Sequence, residues 1–192
     1  MRNKDRFLRE FLSEKEDVFG LIRELTGYVS YYKRTLERLE RDTLTGLFGN
    51  NKFIEFTHDL ENRAESVGVA FFDVNGLKAC NDTKGHQAGD ALIQKAAESI
   101  MITFGKKANA FRTGGDEFVV IIIDCTEVQV NALMYEWREE LARLNSKDDG
   151  IYCSVSAGSA FGSEDYRLSD ILKLADERMY EEKSQSAKSE IQ

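Results

Sequence analysis

Residues 110–123, AFRTGGDEFVVIII, hold two strand-like runs on either side of Thr113, Gly114 and Gly115. A glycine turn between apolar runs is a hairpin signal, because glycine tolerates the backbone angles that tight turns require. Upstream, VGVAFFDV at 67–74 is an apolar run short enough for a buried strand, and IYCSVSAGSAF at 151–161 reads as another. Between the strands, residues 50–65, 88–104, 127–144 and 168–183 carry apolar residues at helical spacing. This alternation predicts an α/β domain. The chain has no proline, so glycine, Asn and Asp do the turn work.

The first 41 residues follow a different rule. Val18, Ile22, Leu25, Val29, Tyr32, Leu36 and Leu39 are spaced alternately by four and three, a heptad seam. Ser13 and Glu16 make a capping box, which predicts a helix from about Glu14 to Arg41, with a short separate helix before it around Phe7, Leu8, Phe11 and Leu12. Gly20 and Gly27 lie off the seam and weaken that helix by about 1 kcal/mol each. A seam of this length suits either a parallel two-helix coil or one amphipathic helix packed on its own domain; the coil is the favoured reading. Residues 1–41 are therefore expected to be a helical dimerisation or signalling segment, and 42–192 the folded domain.

Composition narrows the functional classes. A formal net charge of −8 argues against a nucleic-acid polymer as partner, since such binding needs a basic face that displaces counterions. It does not exclude a nucleotide held by a metal and a few local lysines. No apolar stretch approaches a membrane span, and the charged start MRNKDRFLREFLSEKED does not read as a secretory signal. Cys80, Cys125 and Cys153 lie far apart without metal-ligand spacing, so reduced thiols and a cytoplasmic location are expected.

Carboxylates stand where core strands begin or end. Asp73 follows VAFF, and Asp116 and Glu117 sit between the Gly114–Gly115 turn and FVVIII. A charge at a core edge is costly unless a cation or donor compensates it. If the two strands are neighbours, these acids meet at one sheet edge and present hard oxygen ligands, for which magnesium is the natural guest. The segment between them, NGLKACNDTKGHQAGD at 75–90, is polar for a connection between core elements. Backbone N–H groups of Gly76, Leu77 and Lys78 at a helix start would cradle an anion such as phosphate. Asn81 and Asp90 can pair with a purine edge, and a carboxylate accepts two donors from guanine but no such pair from adenine. His86 reads as a structural loop histidine, and His58 is given no role.

DTLTGLFGNNKF at 42–53, FFDVNGLKACNDTKGHQAGD at 71–90, FRTGGDEF at 111–118, CSVSAG at 153–158 and LKLADERMYEEK at 172–183 together resemble the GGDEF family of diguanylate cyclases, over about residues 42 to 188. The likeness rests on several motifs in family order, not on one pentapeptide. It implies a nucleotidyl-cyclase-like fold, a ferredoxin-like palm with a mostly antiparallel sheet of about five strands flanked by helices. It also implies that Asp73, the Val74 carbonyl, Asp116 and Glu117 bind magnesium, with manganese as the alternative ion. Asn81 and Asp90 would recognise guanine. Gly114 and Gly115, the backbone of Gly76 to Lys78 and the Lys183 side chain would hold the triphosphate, and Glu117 would help a 3′-hydroxyl lose its proton. The product, cyclic di-GMP, takes two GTP molecules, so two domains must face each other, and a homodimer through the N-terminal helices would bring them together.

Three positions depart from the family pattern. Its RxxD product-inhibition motif falls here on Gly105 and Ala108, neither able to pair with a phosphate or guanine. The arginine usual four residues after Lys183 is Ala187, with Lys188 beside it as a point charge without arginine's fork. Asn75 replaces an aspartate common two positions after the first metal ligand, which removes one negative charge. The competing reading is a GTP-binding or dimerisation module without turnover that regulates a partner. A cyclic di-GMP receptor would need the missing RxxD pair, and a purely structural coiled coil leaves the acidic motifs unexplained.

Overall fold

The computed structural model describes residues 2–60, 64–147 and 150–189, with side chains over 17–186 apart from residue 37. It divides into two units, Met1–Glu40 and Arg41–Gln192. The first is a single helix, α1 (Arg2–Leu39). The expected break near Ser13 does not occur: helix runs through Ser13 and Glu16, so the capping box has no terminus to cap. Val18, Ile22, Leu25, Val29, Tyr32, Leu36 and Leu39 are each between 53% and 78% exposed.

The second unit is a five-stranded sheet between helices. Its elements run β1 (Phe48–Gly49), α2 (Asn50–Leu60), β2 (Ser66–Val74), α3 (Leu77–Lys84), α4 (His86–Phe104), β3 (Asn109–Arg112), β4 (Glu117–Ile123), α5 (Glu127–Asn145), β5 (Val155–Ser163) and α6 (Leu168–Ser189). The strand order is β1-β3-β4-β2-β5. Only β1 with β3 is parallel; the other pairings are antiparallel. The hairpin of β3 and β4 is present, as are the mostly antiparallel sheet and flanking helices.

Alternation along the strands sends side chains to two cores. Ala70, Phe72 and Val74 of β2 join Phe118, Val120 and Ile122 of β4 under α4 and α5. Trp137 is completely buried there, its ring centroid 4.7 Å from that of Phe72 and its Nε1 donating to Ser99 Oγ at 3.0 Å. A buried indole N–H needs such a partner. Val67, Val69, Val119 and Ile121 face the other way, against Leu60 of α2 and Leu168 and Ala175 of α6.

Several boundaries differ from the sequence reading, among them that of α6, which was expected to end at 183 and runs to Ser189. β1 is a two-residue strand inside the DTLTGLFG segment that carried no strand signal. Of the helix expected over 50–65, Asn50–Leu60 is helical and residues 64 and 65 are not, while 61–63 lie outside the described residues. The strand expected from 151 starts at Val155, because Asn145 satisfies both backbone groups of Cys153, accepting from its N–H and donating to its carbonyl at 2.8 Å each. Among the described residues no helix is long and apolar enough to cross a membrane.

Candidate active site

The acids predicted to meet are brought together by the ladder between β2 and β4. Asp73 and Glu117 are directly opposed across it, and the Val74 N–H donates to the Asp116 carbonyl at 2.9 Å. Opposed residues in an antiparallel pair project to the same face. Here that is the face covered by α6. Asp73 is 3% exposed; Asp116 is half-buried and Glu117 exposed.

Lys183, from α6, completes the cluster: its Nζ donates to Asp73 Oδ2 at 2.7 Å. That hydrogen bond, with the charges of Asp73, Asp116 and Glu117, holds the ammonium above its usual range. Asp73 Oδ1 is buried without a partner. Partial desolvation, then the charges of Asp116, Asp73 and Asp176, push the Glu117 carboxyl up. The site is thus short of positive charge, and an orphaned carboxylate oxygen at its floor fits a divalent cation. Among the described residues, no three acidic, His or Cys side chains stand close enough together to form a finished metal cage.

The turn that carries Asp116 is tied down from two sides. Thr113 N–H and Gly114 N–H both donate to the Glu117 carbonyl, at 3.0 and 3.4 Å. A Cβ on Gly114 would lie 2.7 Å from Glu117 Oε2, so only glycine leaves the carboxylate its place. Arg112 donates to the Gly115 carbonyl at 2.7 Å and, through its other terminal nitrogen, to Asp42 Oδ1 and Oδ2 at 3.0 and 3.2 Å. Burial opposes ionisation of Asp42, but hydrogen bonds from Thr45 and Arg112 and the Arg112 charge outweigh it and hold the carboxyl below its usual range. Neither Asp42 nor Arg112 was singled out from sequence. The signal was their place in the quoted motifs, without a chemical reason to join them.

The polar segment 75–90 forms two helices joined at Gly85. Gly76, with φ of 72°, starts α3 without a capping side chain, so the first-turn N–H groups at Leu77 and Lys78 point out of the helix end. Asn81 lies against α4: a Cβ on Gly89 would be 2.0 Å from its Oδ1. That packing sets Asn81 beside the turn bearing Asp90, which is exposed. His86 opens α4 and is exposed, not a loop histidine. Asn75 turns toward β5, its amide donating to Ser154 Oγ and Ser156 Oγ at 3.1 and 3.0 Å. Gly105 and Ala108 lie between α4 and β3. α6 continues past Ala187 and Lys188, whose side chains are outside the described residues. Cys80, Cys125 and Cys153 are free thiols, and burial pushes Cys153 up to about 12, which leaves it inert.

Known proteins are similar to this chain in sequence and fold. "Probable diguanylate cyclase DgcJ" of Escherichia coli is 36% identical over 146 residues, covering 72% of this chain and 28% of that protein. "Cyclic di-GMP phosphodiesterase PdeB" of Shewanella oneidensis is 29% identical over 178 residues, 90% of this chain and 21% of that protein. The chain therefore spans about a fifth to under a third of the length of these relatives. The crystal structure of the GGDEF domain of DgcB from Caulobacter crescentus, in complex with c-di-GMP, superposes with a TM-score of 0.66 at 26% identity, covering 76% of this chain and 90% of that one. Residues 39–189 match the family described as diguanylate cyclase, GGDEF domain, and with the sheet order and the opposed acids already in place, the chain belongs to the GGDEF family.

Proposed function

We propose that the chain is a diguanylate cyclase that forms cyclic di-GMP from two GTP molecules, each domain of a homodimer supplying half of the site. The observation that carries this reading is Asp73, buried with an unpartnered Oδ1, directly opposite Glu117 and under Lys183. Magnesium, or manganese in its place, would be held by Asp73, Asp116, Glu117 and the Val74 carbonyl, and would lower the cost of forming an alkoxide and of pyrophosphate departure.

The remaining roles belong to the chain. Asn81 and Asp90 read the guanine edge, Asp90 accepting two of its donors. Backbone N–H groups at Gly76, Leu77 and Lys78 and at Gly115 hold phosphate oxygens, while the Gly114 N–H stays on the Glu117 carbonyl. Lys183 adds a point charge to the triphosphate, exchanging its bond to Asp73 for one to phosphate. Glu117 accepts the proton of the 3′-hydroxyl as that oxygen bonds to the partner nucleotide's α-phosphorus and pyrophosphate leaves. Asn75, occupied with Ser154 and Ser156, takes no ligand role. The exposed heptad seam of α1 pairs two chains and raises the effective concentration of one half-site at the other. The three free thiols suit a cytoplasmic setting.

The second reading, a GTP-binding module without turnover, takes its support from Lys183 seated on Asp73 and from Ala187 where the family carries arginine. Incubation with GTP and magnesium followed by chromatography separates the two. Cyclic di-GMP from the native chain, and none from Asp116→Ala, supports the cyclase. A concentrated dimeric sample that binds GTP and yields no product establishes the module.

A further inference from the structure

Lys183 is supported through the residue before it. Glu182 receives a two-pronged hydrogen bond from Arg138 of α5, Nη1 to Oε1 at 3.1 Å and Nη2 to Oε2 at 2.9 Å. Its Oε2 also accepts from the Ala157 N–H of β5, the edge strand of the sheet, at 3.3 Å. The residue before Ala157 is Ser156, which lies directly opposite Asp73 in the ladder. One carboxylate therefore ties α5, α6 and the edge strand together, one residue from Lys183 along α6 and, along β5, one residue from the position opposite Asp73.

The base of this tie is firm. Arg138 stacks its guanidinium 5.5 Å from the centroid of the Trp137 ring, and Trp137 is completely buried. Apolar packing does not duplicate the tie, since Met179 is the last buried side chain of α6 among the described residues. Beyond Met179, Glu182 ties the helix to β5 and Lys183 ties it to β2.

We propose that Arg138 and Glu182 are positioning residues that set the height of α6 over β5, and so place the Lys183 ammonium where it reaches the triphosphate. The inference rests on the reading of Lys183 given above and assigns roles to two residues, Arg138 and Glu182, to which the sequence reading gave none. An exposed ion pair adds little stability, and here the two residues are 50% and 31% exposed, so the effect falls on where Lys183 stands. Glutamine at 182 keeps the length and an acceptor for Ala157 while weakening the fork to Arg138, which avoids an unfolded variant.

The test uses the full chain with magnesium and 3′-deoxy-GTP, which binds but has no hydroxyl to react, so calorimetry reads affinity whether or not the chain turns over. Glu182→Gln and Arg138→Gln should each weaken binding by about threefold to tenfold, with thermal midpoints close to native. Lys183→Ala should weaken it at least as much, and adding Glu182→Gln to Lys183→Ala should change nothing further. The exchange R138E with E182R should restore part of the affinity lost in either single variant. If Lys183→Ala weakens binding while Glu182→Gln binds as native, or if the two losses add, the positioning role is wrong and the site reading stands. If Lys183→Ala itself binds as native, the assignment of Lys183 to phosphate fails, and this inference with it. With GTP as substrate, Glu182→Gln and Arg138→Gln should raise KM and leave kcat nearly unchanged.

Discussion

Asp73 is built at some cost: it is 3% exposed, one oxygen rests on Lys183 and the other has no partner. Leaving a buried acceptor unmade costs about 1–3 kcal/mol. Such a site gives up stability for ligand affinity. Asp73→Asn should therefore change stability by no more than about 1 kcal/mol in metal-free protein, since a desolvated charge and a salt bridge disappear together. The same change should lower cyclic di-GMP formation by at least about 100-fold, a loss in the range of removing one charge-stabilising group. Denaturant melts beside chromatographic product assays check both halves. Asp42 behaves oppositely, because its partners hold the carboxyl below its ordinary 3.8. A depressed carboxyl contributes stability above its unfolded value, and that contribution is lost as pH falls through the folded one. Asp42→Asn should accordingly cost about 1–2 kcal/mol near pH 7. Its melting temperature and that of the native chain should converge as pH drops below 3.8. A gap that persists undiminished in acid would show that the Arg112 contact is not ionic in origin.

Helix α6 sits directly on β5 at Gly158. A Cβ there would lie 2.1 Å from the Met179 nitrogen and 2.3 Å from the Ala175 carbonyl oxygen. Both are backbone atoms, so a rotamer change cannot relieve the clash and the helix itself has to move. Gly158→Ala should cost about 1–3 kcal/mol, the usual penalty for overpacking, read as a lower thermal midpoint by circular dichroism. It should also weaken 3′-deoxy-GTP binding, since Lys183 rides on the displaced helix. The turn between β3 and β4 relies on a different device. Arg112 reaches from the end of β3 to the Gly115 carbonyl, so the loop carrying Asp116 is held by a side chain as well as by its own hydrogen bonds. A loop fixed in this way presents its acid without ordering entropy at the moment of binding.

Cyclisation of two nucleotides requires two sites, and α1 displays apolar side chains along one heptad seam. Specific activity should rise with chain concentration until the dimer is saturated. Replacing Leu25 and Val29 by Asp should lower it at least about tenfold at concentrations where the native chain is dimeric, the effective-concentration advantage having gone. Light scattering over a dilution series, paired with product assays, tests this; undiminished activity from a monomeric variant would refute pairing through α1. Regulation by product should differ from that of relatives with an RxxD pair. With Gly105 and Ala108 in those places, added cyclic di-GMP should inhibit only by competing with GTP, so that raising GTP restores the full rate.

The strand and helix periods, the β3–β4 turn and the motif residues were legible in the chain because burial patterns and turn chemistry are local: VGVAFFDV and EFVVIII announce buried strands from their own composition. Long-range pairing was not. Lys183 meets Asp73 across 110 positions, Arg112 meets Asp42 across 70, and Arg138 meets Glu182 across 44. The two-residue β1 and the late start of β5 at Val155 likewise depend on partners elsewhere, Phe111 and Arg112 for one, Asn145 for the other. Composition and spacing report what a residue needs, a donor, a cation or an apolar neighbour. Which residue meets that need is settled only when the sheet order and helix packing bring distant segments together, because hydrogen bonds and ion pairs act over a few ångströms of space, whatever the separation along the chain.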